Sequence, residues 1–444
     1  MPSSRELSAH LRISRNTVVY AYDWLMSDGF LETRARFGVF VSSSIPAGRS
    51  KRKPIRSTED LVNKVAAATR TYALKSPVPF RPCQPDIRLF PLLIWNRLRG
   101  RALRTMGLSL LQYQAGCAPG LPALRKVLAT YLRDRLGVNC DWRQVVVTSG
   151  SQQALFLITR LLLTAESRVY LENPGYLGAR NAFLSVGAQL FPGPIDAEGL
   201  VLPAPTDSSF SMLYTTPSRQ FPTGTCLSLA RRLELVRFAE ETDTWVIEDD
   251  YDSEFRYSAP PLQSLQGLDS AGKVIYVGTF SKTLFPSLRL GYVVLPDSLV
   301  EPFTAIKGLA DDFSPLIDQA TLSLFLESGA FHTHVRRCRR LYSERQTLFL
   351  QEAKRLELPL RFEATDGGMN LTGFLPRGSD DEAWSARCMD RGLDVPSLSS
   401  FSIGPCEPGL VFGFTAFDEA SILNALHVLQ SIFTAEGSGN LPIA

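Results

Sequence analysis

From about residue 78 onward, short apolar β runs alternate with amphipathic helical stretches, and this alternation restricts the fold more than any other feature of the sequence. The runs are 145–147, 168–171, 212–214, 245–247, 274–277 and 292–295. Apolar strands separated by helices are the pattern of a mostly parallel sheet covered on both faces. The expected fold class is therefore α/β: a large domain over about 78–432, with a small C-terminal α/β subdomain from about 315 and a tail over 433–444. No apolar run reaches the ~20 residues that a membrane-spanning helix needs, and residues 154–165 are interrupted by Arg160. The first residues, MPSSREL, lack the basic-then-apolar order of a secretory signal. The seven cysteines are dispersed and form no CxxC pair, as expected of reduced thiols in a cytoplasmic protein. His332, His334 and Cys338 lie among arginines, so no metal site is expected there.

Ahead of this domain the composition changes. The net charge is +3, but residues 1–56 hold ten Lys/Arg against four Asp/Glu, a local excess of +6 over a remainder of −3. A basic arm on a near-neutral body suits a polyanionic partner. Within it, residues 3–11 have a Ser cap and Glu6 in the first turn. Ser14 can cap a second helix over 15–26, where Val18, Val19, Tyr22, Leu25 and Met26 recur at helical spacing. Asp28-Gly29 ends that helix, and residues 30–42 alternate like a hairpin with a basic tip. Helix, turn, helix and basic hairpin over 1–43 describe a winged helix-turn-helix. Its second helix would enter the major groove of double-stranded DNA, with Arg15, Asn16 and Thr17 toward bases and phosphates and with Arg34 and Arg36 on the backbone. Residues 44–77, rich in Ser, Pro, Gly and basic side chains at their start, read as a linker.

In the large domain, several segments carry chemistry in a fixed order. TSGSQQAL (148–155) joins a β run to a helix, whose N-terminus and small residues suit a phosphate. ENPGYLGAR (172–180) offers Tyr176 for stacking on a flat ring, and TTPSRQFPTG (215–224) is a turn after a strand. VIEDDYDSEFRY (246–257) places carboxylates at the end of a buried run, where ligands of such sheets sit. VGTFSKTLFPSLRLGY (277–292) sets Lys282 among hydroxyls, with Arg289 seven positions later. A lysine there can form a Schiff base with an aldehyde, and Thr279, Ser281 and Arg289 suit a phosphate. Alone, each segment has an ordinary structural explanation; together they are far more specific.

This succession resembles that of fold-type I pyridoxal 5′-phosphate (PLP) enzymes, over roughly residues 78–432. The resemblance implies that Lys282 carries the cofactor as a Schiff base, that Asp249 pairs with the pyridine nitrogen, and that Tyr251 reaches the phenolic oxygen. It implies further that Tyr176 stacks on the ring, and that Ser151, Gln152, Thr279, Ser281 and Arg289 hold the phosphate. Tyr113, in LLQYQAG, would reach a partner subunit's phosphate within a homodimer. The segment SRNTVVYAY followed by Gly29-Phe30-Leu31 resembles the GntR-type winged helix; that family places a further helix ahead of Pro2-Ser3-Ser4, so the expectation is a partial, truncated winged helix, either because the start is set too late or because the unit lacks that helix. A GntR-like head on an aminotransferase-like body resembles the MocR subfamily of regulators, as do FRPCQPDIRLFP (80–91) and RRCRRLYSERQ (336–346). The implied function is transcriptional regulation in response to PLP or a PLP–amino acid adduct. The alternative is an aminotransferase with a vestigial DNA-binding segment. Two departures bear on that choice. Val411 stands in GLVFGF where aminotransferases place the arginine that binds an α-carboxylate, and Phe221 stands where many carry Asn before Pro-Thr-Gly. Turnover of amino acids is expected to be weak at most. Arg180 would be the replacement carboxylate anchor if turnover were efficient.

Overall fold

The structure, a computed structural model, describes residues 1–35, 37–43, 78–113, 116–204, 209–258, 262–363 and 365–437. These fall into two compact units, Met1–Ala73 and Leu74–Ala444. The expected linker, 44–77, lies outside the described residues, as does Arg36.

In the first unit, α1 (Ser4–Leu11) opens with a capping box: Ser3 Oγ accepts from the Glu6 amide while Glu6 accepts from the Ser3 amide. The chain turns through Arg12, and α2 (Arg15–Ser27) starts at Ser14, whose hydroxyl accepts from the Asn16 amide at 3.1 Å. After Gly29, which has the positive φ of a helix stop, β1 (Leu31–Arg34) and β2 (Gly38–Val41) pair antiparallel, Leu31 opposite Val41 and Arg34 opposite Gly38. Val18, Tyr22 and Leu31 form a small core, with Leu7, Leu25, Met26 and Val39 packed around it. Tyr22 also donates its hydroxyl to the Pro2 carbonyl at 2.9 Å, tying the chain start to α2.

The second unit is built on an eight-stranded sheet in the order β3-β10-β9-β8-β7-β4-β5-β6. Its strands are β3 (Val145–Thr148), β4 (Arg168–Asn173), β5 (Gln189–Asp196), β6 (Gly199–Leu200), β7 (Met212–Thr215), β8 (Trp245–Asp250), β9 (Val274–Thr279) and β10 (Gly291–Val294). From β5 through β4, β7 and β8 to β9 all pairs are parallel, whereas β10 runs antiparallel to both β9 and β3. Alternating residues of these strands reach two different cores. Val145, Val147, Tyr276, Tyr292 and Val294 join a cluster with α3 (Leu92–Met106), α4 (Pro122–Leu136) and α10 (Leu316–Glu327). Val146, Ile275, Val277 and Val293 join another, with α5 (Ser151–Leu162), α6 (Leu177–Leu184) and α9 (Asp297–Asp311). Burial of both faces is why these runs are apolar throughout rather than alternating. Helices α7 (Leu229–Thr242) and α8 (Leu265–Leu268) cover the part of the sheet around β7 and β8.

The C-terminal part contains a three-stranded antiparallel sheet, β11 (Arg361–Phe362), β12 (Asn370–Phe374) and β13 (Gly409–Gly413), with α12 (Asp381–Asp390) and α13 (Glu419–Gly437). The long helix α11 (Ala330–Arg355) belongs to both parts. Its Phe331 and Val335 pack with the sheet cluster, and its Cys338, Tyr342 and Phe349 pack with the C-terminal cluster. The subdomain core thus begins along α11, while α10, just past residue 315, packs with the large domain. Phe80 completes that core from the other end of the domain, edge-on to Phe349 and Phe412. Among the described residues, no helix is long and apolar enough to cross a membrane.

Candidate cofactor site

The parallel strands end together, and their carboxyl ends carry the site. This is where an open α/β sheet leaves a crevice for ligands. Strand β8 delivers Asp249 and Asp250, and the chain continues through Tyr251 and Asp252. Asp249 is buried. Its Oδ2 accepts from the Tyr214 hydroxyl of neighbouring β7 at 2.7 Å, while its Oδ1 is buried without a partner. The Tyr251 hydroxyl is likewise buried and unpartnered. Buried polar atoms are nearly always satisfied, so two such orphans two residues apart at the end of β8 suit a ligand that offers a donor to Asp249 and an oxygen to Tyr251. A protonated pyridine nitrogen and a phenolic oxygen meet that demand. Burial lifts the Asp249 carboxyl to about 7, partly offset by the Tyr214 hydrogen bond and raised further by neighbouring Asp250 and Glu172.

Strand β9 ends at Thr279 and delivers Lys282 three residues later, its ammonium donating to the Cys83 carbonyl at 3.0 Å. The Ser281 amide donates to Thr279 Oγ1 at 3.2 Å. Arg289, held in the left-handed region at φ 50°, donates from Nη2 to the Ser149 carbonyl at 3.0 Å. That contact sets its guanidinium beside Gly150, the N-cap of α5, where Ser151 opens the helix. Gly150 has φ +89°, and a Cβ there would stand 3.0 Å from the guanidinium. A helix N-terminus with an arginine at its mouth is an anion site. Tyr176 caps the start of α6 and donates to Gln152 Oε1 at 3.3 Å, and the Gln152 amide donates to the Gly178 carbonyl at 2.9 Å. The Gln152 side chain therefore braces the Tyr176 turn.

The structure thus brings Ser151, Gln152, Tyr176, Asp249, Tyr251, Thr279, Ser281, Lys282 and Arg289 to one end of the sheet. Three supporting groups were missed from sequence. Tyr214 reads as a core residue of an apolar strand. The Cys83 carbonyl carries no side-chain signal. Glu172 is fully buried, with Thr215 Oγ1 at 2.6 Å, the Thr216 amide at 2.8 Å and Thr216 Oγ1 at 2.6 Å. It clamps the end of β4 to the end of β7, and so fixes the Tyr176 and Phe221 turns against each other. The ENPGY motif was the available signal for it. The Phe221 ring lies 6.0 Å from both Tyr176 and Tyr251, edge-on to each. Val411 is fully buried on β13, and Arg180 donates to the Ser402 carbonyl at 3.2 Å.

In the first unit, Arg15, Asn16 and Thr17 are exposed at the N-terminus of α2. Arg34 is exposed on β1, ion-paired with Glu32 at 2.6 Å and lying over the Phe40 ring. Tyr113 is almost fully exposed.

The fold and the crevice define a PLP-dependent protein of aminotransferase type. Residues 109–426 match the family "aminotransferase class I and II", to which the chain belongs. Among solved structures, LysN, the α-aminoadipate aminotransferase of Thermus thermophilus, is 28% identical with a TM-score of 0.78, covering 86% of this chain and 99% of that one. Among curated relatives, the probable rhizopine catabolism regulatory protein MocR of Rhizobium meliloti is 36% identical, covering all of this chain and 91% of its own length. The pyridoxine biosynthesis transcriptional regulator PdxR of Corynebacterium glutamicum is 30% identical over 95% of this chain and 88% of its own. Within the class, then, the chain belongs to the MocR-type regulators of the GntR family. Its cofactor is pyridoxal 5′-phosphate. When bound, the cofactor supplies an electrophilic carbon for an amine and a ring that withdraws electrons.

Proposed function

We propose that this chain is a cytoplasmic transcriptional regulator that binds double-stranded DNA through residues 1–43 and senses PLP, alone or joined to a small amine, in the aminotransferase-like domain. Lys282 holds the cofactor, Asp249 and Tyr251 orient it, Tyr176 stacks on it, and Ser151, Gln152, Thr279, Ser281 and Arg289 bind its phosphate. One observation carries the reading. An exposed Arg15-Asn16-Thr17 run at a helix N-terminus shares a chain with a crevice equipped to bind PLP, in which Val411 replaces the anchor an amino acid substrate needs. The same Val411 disfavours the alternative of an efficient aminotransferase; Arg180, the candidate replacement, donates one hydrogen bond to the Ser402 carbonyl.

The regulator acts as a homodimer, with Tyr113 reaching the partner's cofactor phosphate. Leu93, Leu108, Tyr113 and Leu309 are 86%, 72%, 89% and 90% exposed, which a soluble monomer would pay for in exposed apolar surface. A two-fold dimer also suits an operator of two half-sites. Fluorescence anisotropy of the full chain on a duplex from its own promoter tests the proposal. Preference for that duplex over a random one of equal length is expected, and equal affinity for both would refute it.

A further inference from the structure

The surroundings of Lys282 specify more than the absence of one arginine. Phe221, Phe374, Leu398, Phe401 and Val411 form a single buried cluster, and Cys83, Tyr176, Leu177 and Tyr251 pack against it. Phe221 is its hub, edge-on to Tyr176 and Tyr251 at 6.0 Å and to Phe401 at 5.2 Å. Two of these neighbours are the residues assigned to the cofactor ring, and the carbonyl of a third, Cys83, receives the Lys282 ammonium. The cluster therefore walls the place where a second reactant would meet the cofactor at Lys282.

Among the described residues, none in that cluster carries a positive charge. Of the arginines that neighbour it in sequence, Arg377 is exposed beyond the end of β12 and three others make contacts of their own. Arg81 is ion-paired with Asp394 at 2.5 Å, and Arg180 donates to the Ser402 carbonyl. Arg219 is 6% exposed, donates from Nη2 to the Asn370 carbonyl and faces Asp252 at 3.5 Å, while its Nε is buried without a hydrogen-bond partner. A carboxylate brought against phenyl rings would lose its hydration and gain no partner, which is costly, whereas an aryl or branched alkyl group would gain apolar contact there.

We infer that the ligand exchanging with Lys282 is an apolar primary amine without an α-carboxylate, of the arylalkyl or branched alkyl class, held by the Phe221–Phe401–Val411 wall. The inference rests on the reading of Lys282 as the attachment point of PLP. In the exchange, the amine nitrogen forms the double bond to the cofactor's carbonyl carbon and the bond to Lys282 Nζ breaks. The two protons of the incoming amine end on the lysine, so that it leaves as a free amine, and neither water nor an oxidant is consumed.

Matched ligand pairs test this on the PLP-loaded full chain: 2-phenylethylamine against phenylalanine, and isobutylamine against valine, compared at equal free-base concentration by the shift of the visible cofactor band. Each amine is expected to bind at least about tenfold more tightly than its amino acid, a difference of about 1.4 kcal/mol. In Val411→Arg, checked for retained PLP, the preference is expected to move toward the amino acid. An amino acid that binds the wild-type chain as tightly as its matched amine, or four ligands that all leave the band unchanged, overturns the inference. Failure of the underlying site reading would show earlier and separately. The visible band would then be missing, or borohydride would fix no PLP on Lys282, before any amine is added, and the inference would fall with it.

Discussion

Asp249→Asn should move cofactor affinity and protein stability in opposite directions. Asp249 is 4% exposed, with one oxygen on Tyr214 and the other unpartnered. In the PLP-free protein, burial raises its carboxyl from 3.8 to about 7. The folded value lies above the unfolded one. Its contribution to stability is therefore complete below the unfolded value and is lost as the pH rises through about 7. At about 1.36 kcal/mol per unit, the loss reaches a ceiling of about 4 kcal/mol once the carboxyl is ionised in both states. Asn has no charge to desolvate, so the PLP-free variant should melt higher than wild type. The gain should be several degrees near pH 8 and markedly smaller near pH 5, where about 2 kcal/mol at most has been lost. Toward PLP the sign reverses. Asn can accept a hydrogen bond from the ring nitrogen but lacks charge assistance, a difference of about 1 to 1.5 kcal/mol, or about tenfold in affinity. Thermal melts without PLP at the two pH values, and titration of the visible band with PLP, read both effects. A variant that binds PLP as tightly as wild type, or whose melting gain is the same at both pH values, would refute this account of Asp249.

Lys282→Ala should abolish borohydride-reducible attachment of PLP; a variant that still yields a reduced covalent adduct would show that another lysine carries the cofactor. Asn16→Ala should relax sequence preference by about 1 to 3 kcal/mol, the range for a lost base contact. Arg34→Ala should instead weaken binding to all duplexes alike and flatten its salt dependence. Identical responses of the two variants would contradict the assigned roles. Mixing the PLP-loaded chain with common amino acids should give little pyridoxamine phosphate, because Val411 leaves the α-carboxylate unanchored. Rapid and complete conversion by any one of them would favour the enzyme reading.

The parallel part of the fold was legible because strands buried on both faces must be apolar throughout, as in 212–214 and 274–277. Strand β5 was not, because Pro192, Gly193 and Pro194 mimic a turn. Gly193 is in fact required inside the strand, where a Cβ would come within 2.6 Å of Leu200 and Tyr170. The antiparallel direction of β10 was also hidden, since an apolar run carries no sign of its direction. The three-stranded C-terminal sheet escaped because β11 and β12 are short and separated by a long turn. Lys282, Asp249 and Tyr251 stand in motifs and could be read directly. Tyr214 and the Cys83 carbonyl act only through their position against those residues, and position is what a linear pattern lacks. The Phe221–Val411 wall joins residues 190 positions apart. Each looked like a departure from a motif until the fold placed them side by side.

Control of DNA binding by the cofactor site is measured most directly as the affinity of the full chain for its own promoter with and without saturating PLP, at one fixed salt concentration. A PLP-dependent change of at least about fivefold, or about 1 kcal/mol, that disappears in Lys282→Ala is the predicted result. Equal affinity in both conditions, with the visible band confirming that PLP is bound, would contradict it.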